Sequence, residues 1–356
     1  MVSYNNIILK AGERELNERE KEILSTIVQL YILKATPVGS RFLSKYLESH
    51  KKFSPATLRN VMSELEEMDF ISHPHTSAGR IPTDKGYRFY VDAIKQFDRL
   101  TEKDRTTVKS NLTASDSEVV IREASKLLGL LSKYLSVVTV PHIGDMIVLK
   151  IELIQLSSTK LLVVIALNSN IVRTVTLETE FSIDSKYLDD TTSYINERIS
   201  GKPLNFLRNN FKELIKDIEP GTTPLVRLFI DSVDKIFSNY NEKDRLVISG
   251  TQNLLEHPEF EDLSKVRSII ELIESEDIII HLLDKFEDTE SGIKVLIGKE
   301  LNENTLEDYS VVLSSYTFGS SSGTVGLIGP KRMNYPYVIS LLEYVTKVMS
   351  ETVYEQ

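Results

Sequence analysis

The residues best suited to chemistry lie in Ser54-Pro55-Ala56-Thr57-Leu58-Arg59-Asn60-Val61-Met62-Ser63. An arginine can fork onto O6 and N7 of guanine, and an asparagine can pair with N6 and N7 of adenine. Arg59 and Asn60 supply both groups side by side, Ala56 can pack on a thymine methyl, and Thr57 and Ser63 are small enough to approach base or phosphate. Ser54 is a good N-cap and Pro55 suits the first helical position. The free N–H groups of such a helix start attract phosphate. Leu58, Val61, Leu65 and Met68 recur at helical spacing, so the segment buries one stripe and leaves Ala56, Arg59, Asn60, Ser63 and Glu67 outside. By residue type alone the same row is equally a solvated helix face, and the surrounding elements decide.

Those elements follow in an informative order. Asn17 and Glu20 form an N-x-x-E start, and Ile23, Leu24, Ile27, Val28 and Tyr31 make one apolar stripe. Pro37 and Gly39 break the pattern, and a short helix runs from Ser40 to about Glu48. The Ser54 helix comes third. Phe70-Ile71 then begins an extended segment, Thr76-Ser77-Ala78-Gly79 turns, and Arg80-Ile81-Pro82 returns as the second strand of a hairpin. Thr83 caps a fourth helix bearing Tyr87, Tyr90, Val91 and Ile94. Three helices and a hairpin are the order of a winged helix, whose second turn-linked helix enters the major groove. In that frame Arg41, Lys45, Lys51 and Lys52 face the backbone, where contacts give affinity and register. The hairpin tip, with Ser77 and with Arg80 leading, is shaped to enter a minor groove. His73 and His75 share one strand face; with no third ligand nearby and no cysteine in the chain, they read as solvated or phosphate-facing.

The net charge of −10 looks wrong for a nucleic-acid binder, but residues 1–100 carry 15 Lys and Arg against 13 Asp and Glu, so the acidity belongs to the remainder. A locally positive module on an acidic body can bind phosphate while the body stays soluble. The 356-residue length predicts two or three domains. Without cysteine there are no disulfides or thiolate sites, which fits a reducing cytosol. The longest apolar run, Leu161 to Leu167, is far short of the roughly 20 residues of a membrane span, and Met1 to Lys10 has no export pattern. The expected location is the cytoplasm.

After the winged helix, Asp98 to Lys109 reads as a linker or solvated helix, and a helix follows over Glu118 to Lys133. Strands are expected at Val137–Val140, Ile147–Gln155, Lys160–Ala166 and Ile171–Leu177. Helices are expected from Leu188 to Lys235, with a strand at Arg245–Gly250 and helix again from Leu263 to Phe286. Further strands fall at Ile293–Ile297, Val311–Tyr316 and Thr324–Ile328, and Tyr337 to Ser350 is the last helix. Strands, then helices, then strands predict an antiparallel α+β domain interrupted by an insert. Catalytic signatures are weak. Gly319-Ser320-Ser321-Ser322-Gly323 lacks the Lys-Ser/Thr of a phosphate loop and reads as a hairpin turn. His142, His257 and His281 are isolated, the last in an apolar stretch that reads as core or interface. No enzyme activity, cofactor or metal is expected.

Several blocks resemble the HrcA family of bacterial heat-inducible transcription repressors. They are Leu16-Asn17-Glu18-Arg19 with Ile23-Leu24, Pro37-Val38-Gly39-Ser40-Arg41, Ser54 through Met62, and His73 through Thr83. Near the end, Gly329-Pro330-Lys331-Arg332-Met333-Asn334-Tyr335-Pro336 and Val338 through Val345 resemble the same family's C-terminal signature. The resemblance implies a homodimer that represses chaperone operons at an inverted-repeat operator called CIRCE, with the chaperonin GroEL as modulator. It also implies a GAF-like body carrying an inserted, mainly helical dimerisation domain. The expected division is 1–15 tail, 16–98 winged helix, 99–184 first part of the body, 185–285 insert and 286–356 second part of the body. The implied DNA-binding set is Ser40, Arg41, Lys45, Lys51, Ser54, Ala56, Thr57, Arg59, Asn60, Ser63, His75, Ser77 and Arg80. Departures are Asp69 where glycine is frequent at the end of the reading helix, Phe42 where a smaller residue is usual, and the extension 1–15. A GAF-like body also leaves open a metabolite-gated regulator with a pocket built from 137–180 and 291–330.

Overall fold

A computed structural model describes residues 14–48, 53–74, 79–94, 100–113, 117–140, 144, 146–168, 171–183, 187–215, 224–237, 246–287, 292–318 and 321–354. The chain opens with α1 (Glu18–Lys34), α2 (Ser40–Leu47), α3 (Pro55–Glu67), the strands β1 (Ile71–Ser72) and β2 (Ile81–Pro82), and α4 (Asp84–Asp92). The Asn17 side chain accepts from the N–H groups of Arg19 and Glu20, and the Glu20 carboxylate accepts from Asn17 N at 2.8 Å. Arg14 forks onto that carboxylate at 2.6 and 2.9 Å. Ile23, Leu24, Ile27 and Val28 form the buried stripe of α1, so capping and amphipathic spacing agree on where this helix starts and which side it buries.

The acidic-basic stretch after the winged helix is α5 (Glu102–Asn111), begun by a Thr101–Asp104 capping box and burying Val108. Next come α6 (Ser117–Ser132), β3 (Leu135–Thr139), β4 (Val148–Ser157), β5 (Lys160–Leu167) and β6 (Val172–Glu178). The helices α7 (Leu188–Ile199), α8 (Leu204–Leu214), α9 (Pro224–Asp231) and α10 (Val233–Phe237) precede β7 (Leu246–Ser249) and α11 (Thr251–Leu255). The chain continues through α12 (Leu263–Glu274), α13 (Glu276–Glu287), β8 (Ile293–Ile297), β9 (Tyr309–Phe318), β10 (Ser321–Pro330) and α14 (Tyr335–Tyr354). Phe318 pairs with Ser321, so the serine-rich segment joins two antiparallel strands.

The strands form two separate antiparallel body sheets, one ordered β7-β3-β10-β9-β8 and one ordered β4-β5-β6. Tyr316 Oη donates to the Thr139 carbonyl at 2.6 Å and Thr324 N donates to Thr139 Oγ1 at 2.7 Å, which fixes β3 between distant parts of the chain. Residues 309–314 of β9 are all buried, so both faces of the larger sheet are covered. Ser310 and Ser314 meet Tyr335 and Thr346 of α14, whereas Leu313 and Leu283 of α13 converge over Gly326.

The apolar side chains divide differently from the boundaries read in the sequence. Ile151, Leu161, Val163 and Ile165 pack with Ile195, Leu207, Phe211, Phe229 and Phe237 in a core that spans 146–237. Asn196 ties α7 to β4 by bonding both N and O of Ile151, at 2.7 and 2.8 Å. This core thus takes in β4–β6, which the sequence division left before residue 185. Ile269, Leu272, Ile279, Leu282 and Leu283 of α12 and α13 join the other core, although they fall inside the expected 185–285 insert. Alternation marks a strand but does not say which sheet it enters. The winged helix and the larger sheet share that other core.

Two outcomes follow. Phe229 is fully buried, with its ring 6.4 Å from Phe211, so Phe229→Ala should destabilise its core by about 3–5 kcal/mol. In calorimetry of the full chain only one of two transitions should move, and a uniform shift of all melting would contradict separate cores. The second concerns Glu20, whose carboxyl is held down at about 2, chiefly by the Arg14 hydrogen bond. A depressed carboxyl stabilises the fold above its unfolded value near 4.5 and loses that contribution as pH falls toward 2. Glu20→Gln should therefore melt earlier than wild type at pH 7, with the gap closing below pH 4.5 as acid denaturation is followed by circular dichroism.

Candidate nucleic-acid interface

The reading helix α3 is held from behind and left bare in front. Leu58, Val61, Met62 and Leu65 are buried, whereas Ser54, Ala56, Arg59, Asn60 and Ser63 are exposed and Thr57 is half-buried. Ser54 Oγ accepts from Thr57 N at 3.1 Å and lies 2.9 Å from the Thr57 hydroxyl, closing the first turn. The preceding turn is fixed from both sides. Ser44 Oγ donates to the Phe53 carbonyl at 2.7 Å, and the Arg19 guanidinium lies 5.0 Å from the Phe53 ring centre. Ser44 was not among the residues singled out in the sequence; its one signal is a serine on the buried side of a short helix.

On α2, Ser40 is half-buried, and Arg41 and Lys45 are exposed. Phe42, the bulky departure, does not disturb the packing, because it points outward at 38% exposure with Lys34 Nζ 4.2 Å above its ring. Lys51, Lys52, His75 and Ser77 lie outside the described residues.

The end of α3 launches the wing. Asp69 adopts φ +62°, Phe70 N donates to Leu65 O and Asp69 N to Glu66 O, both at 2.9 Å. This is the glycine-favoured stop carried by an aspartate. Ile71 then pairs with Pro82 and Ser72 with Ile81, while Val38 and Arg80 exchange backbone bonds at 2.8 and 2.9 Å. The segment before α2 thereby joins the wing. A side chain at Gly79 would bring a Cβ to 2.5 Å of the Val38 carbonyl carbon, so only glycine lets the wing pass so close.

Arg80 departs from its expected role. Its backbone is pinned to Val38 at the wing's root, and its guanidinium binds Glu66 of α3 at 2.7 Å with 26% of the side chain exposed. His73 bonds the same carboxylate. Burial by itself would raise the Glu66 carboxyl, but His73 and Arg80 outweigh it and hold the group below the usual range. Sequence spacing did not reveal this triad, because its members sit on three different elements. Arg14 likewise reaches Glu64 at 3.4 Å. Two of the helix's acids are thus matched, while Arg41, Lys45 and Arg59 are exposed and pair with no carboxylate among the described residues. Exposed cations remain on this side, and of the acids of α3 Glu66 is bound, Glu64 is touched by Arg14 and Glu67 stays exposed.

Other sequence candidates lead elsewhere. His257 stacks on Tyr134 with ring centres 5.0 Å apart and its Nε2 lies 2.9 Å from the Lys133 carbonyl. His281 is exposed on α13 and does not belong to the core; the helix turns its apolar neighbours inward and leaves this ring in solvent. His142 lies outside the described residues. Among the described residues no group of three or more His, Cys, Asp or Glu side chains could hold a metal, and no helix is long and apolar enough to cross a membrane.

Known proteins give the same picture. Residues 15–96 match the family model described as "Winged helix-turn-helix transcription repressor, HrcA DNA-binding", and residues 118–339 match "HrcA protein C terminal domain". The heat-inducible transcription repressor HrcA of Chlorobium chlorochromatii is 37% identical over 343 residues, covering 95% of this chain and 98% of that one. Its counterpart in Chlorobaculum tepidum is 34% identical over 350 residues, with the same coverage. These are names of transcription repressors and not of enzymes. A crystal structure titled only as a hypothetical protein aligns with a TM-score of 0.67 at 27% identity, covering 96% of this chain and 99% of that one. With both models and near-complete coverage in agreement, the chain belongs to the HrcA family.

Proposed function

We propose that this chain is a homodimeric repressor of chaperone operons, binding an inverted-repeat operator of CIRCE type in the cytoplasm, on the nucleoid. The observation that carries the reading is the bare pair Arg59–Asn60 on a Ser54-capped helix, two of whose three carboxylates, Glu64 and Glu66, are met by arginines while Glu67 stays exposed. Arg59 and Asn60 read base edges, with Ala56, Thr57 and Ser63 beside them, while Ser40, Arg41, Lys45 and Lys51 set the register on phosphate. Ser54 presents the helix start to phosphate. His75 and Ser77 add to the DNA-binding set, and Arg80 serves by holding the wing root.

Pairing is supported by the face of the smaller sheet that no helix among the described residues covers. Leu149, Ile154, Leu156 and Val172 are 46–62% exposed there. Large apolar side chains grouped on one face mark an interaction surface, and a two-fold contact between copies would match the symmetry of an inverted repeat. In this reading the 16–98 winged helix reads DNA, the larger-sheet unit is the GAF-like body, and the 146–237 core is the inserted dimerisation domain. Pairing gives avidity, and heat lifts repression by lowering it or by removing the support of the chaperonin GroEL. The metabolite-gated alternative, with a pocket in 137–180 plus 291–330, draws less support, because β4–β6 belong to the other core and Leu283 of α13 lies over the larger sheet.

The test of the function is a gel shift on the organism's chaperone promoters with and without chaperonin. Affinity unchanged through the shock temperatures in both arms would refute the heat-release step. Arg59→Ala should cost about 1–3 kcal/mol on the operator and relax the preference at one base pair; equal losses on operator and random DNA would remove its base-reading role. Lys45→Ala and Lys51→Ala should each weaken all duplexes alike and lower the salt slope by about one. Val172→Asp should leave the melting temperature in place while shifting the sedimentation coefficient from dimer to monomer; an intact dimer would place the interface elsewhere.

A further inference from the structure

The winged helix is joined to the larger-sheet unit by a set of charges arranged in one order. Asp84, the first residue of α4, accepts from Lys331 Nζ at 2.7 Å and from Lys299 N at 3.1 Å. One turn later Arg88 forks onto Glu300 and donates to the Val295 carbonyl at 2.6 Å. Arg332 donates to Ile32 O in the last turn of α1 at 3.2 Å while gripping Glu259 with two nitrogens. Between them Tyr87 meets Tyr335 with ring centres 6.3 Å apart. Gly298, at φ +53°, lies so near that a Cβ there would fall 2.2 Å from Asp84 Oδ2.

Asp84 and Arg88 are opposite charges on one side of a helix, and each meets its opposite across the junction. Sliding α4 by one turn in one direction would set Asp84 against Glu300, and in the other direction Arg88 against Lys331. Such pairs add little net stability, but they penalise every other register. We propose that Asp84, Arg88, Lys331 and Arg332 are positioning residues: they fix the pose of each reading head on the body, and so make the protein select operators by the spacing between half-sites. The inference rests on the dimeric reading given above. Inserting one base pair turns a half-site by about 34° around the duplex axis. A rigid head loses its second contact at that angle, whereas a loosely hung head follows it and keeps the avidity.

The experiment uses the full chain and a series of operators whose spacer is lengthened or shortened by one and two base pairs, together with a single half-site, read by fluorescence anisotropy. Wild type should show one optimum, with affinity falling about tenfold or more for one base pair off. Lys331→Met, whose side chain is 28% exposed, should flatten that profile, and Arg88→Met/Lys331→Met should flatten it further, with single half-site affinity unchanged. Arg88→Lys/Lys331→Arg should restore the steep profile. A steep, unshifted optimum in both methionine variants would overturn the proposal. So would tighter binding at every spacing, which would mean that the junction holds the heads off DNA. Wild type binding paired half-sites no better than one would instead overturn the dimeric reading.

Discussion

A bare carboxylate on the helix that approaches DNA repels every phosphate its neighbouring cations must reach, and Glu66 sits on that helix. Its neutralisation by Arg80 and His73 organises the DNA-facing side of the module. The same bond decides what the wing can do, since Arg80 is drawn to α3 and its backbone to Val38. Reading helix, wing root and the segment before α2 therefore move as one piece. A few ångströms between opposite charges matter here because the site is only partly open to water, and screening is weaker than at a fully exposed pair. The cost is one cation withdrawn from the DNA-facing set. The gain is a helix whose remaining exposed cations, Arg59 on α3 and Arg41 and Lys45 on α2, face solvent with fewer competing acids.

Local signals were legible and partnerships were not. Ser54-Pro55 fixed the start of α3, and apolar spacing gave its buried side correctly except that Met62 is buried where Met68 is only half so. The strand segments lay within a few residues of their true bounds, because alternation and β-branching are properties of neighbouring residues. Which strands share a sheet depends on contacts such as Thr139 with Thr324, 185 residues apart, and nothing in the local pattern records them. The same limit explains Arg80 and His281. A cation after a glycine turn suits a wing tip, and a histidine among isoleucines suits a core, until the fold supplies Glu66 to one and solvent to the other. Asp69 is the converse case: its place after the helix called for a left-handed residue, and the structure has one.

The two cores also account for the charge imbalance. An acidic chain binds DNA when the acids are kept from the reading surface or bound by cations near it. The insertion of 146–237 between β3 and β7 sets that unit apart as its own packed body, with the exposed apolar face on its sheet and not on the winged helix. The DNA-binding winged helix and the exposed apolar sheet face thus lie on different units of one chain. Mutations in one need not disturb the other, provided the joint between the heads and the larger sheet holds.

That joint adds charges to the apolar core the two units share, for a physical reason. Apolar contact favours burial but is nearly indifferent to rotation, so a head seated on leucines alone could pivot at small cost. Opposite charges at fixed spacing along α4 are not indifferent: one turn of slip in either direction breaks both attractions and sets one pair of like charges face to face. The glycine pressed against Asp84 removes the slack that a larger side chain would create. The C-terminal block Gly329 to Tyr335 carries two of the cations, Lys331 and Arg332, and the ring that meets Tyr87. A segment some 250 residues from Asp84 in the chain therefore closes the joint between the winged helix and the larger sheet.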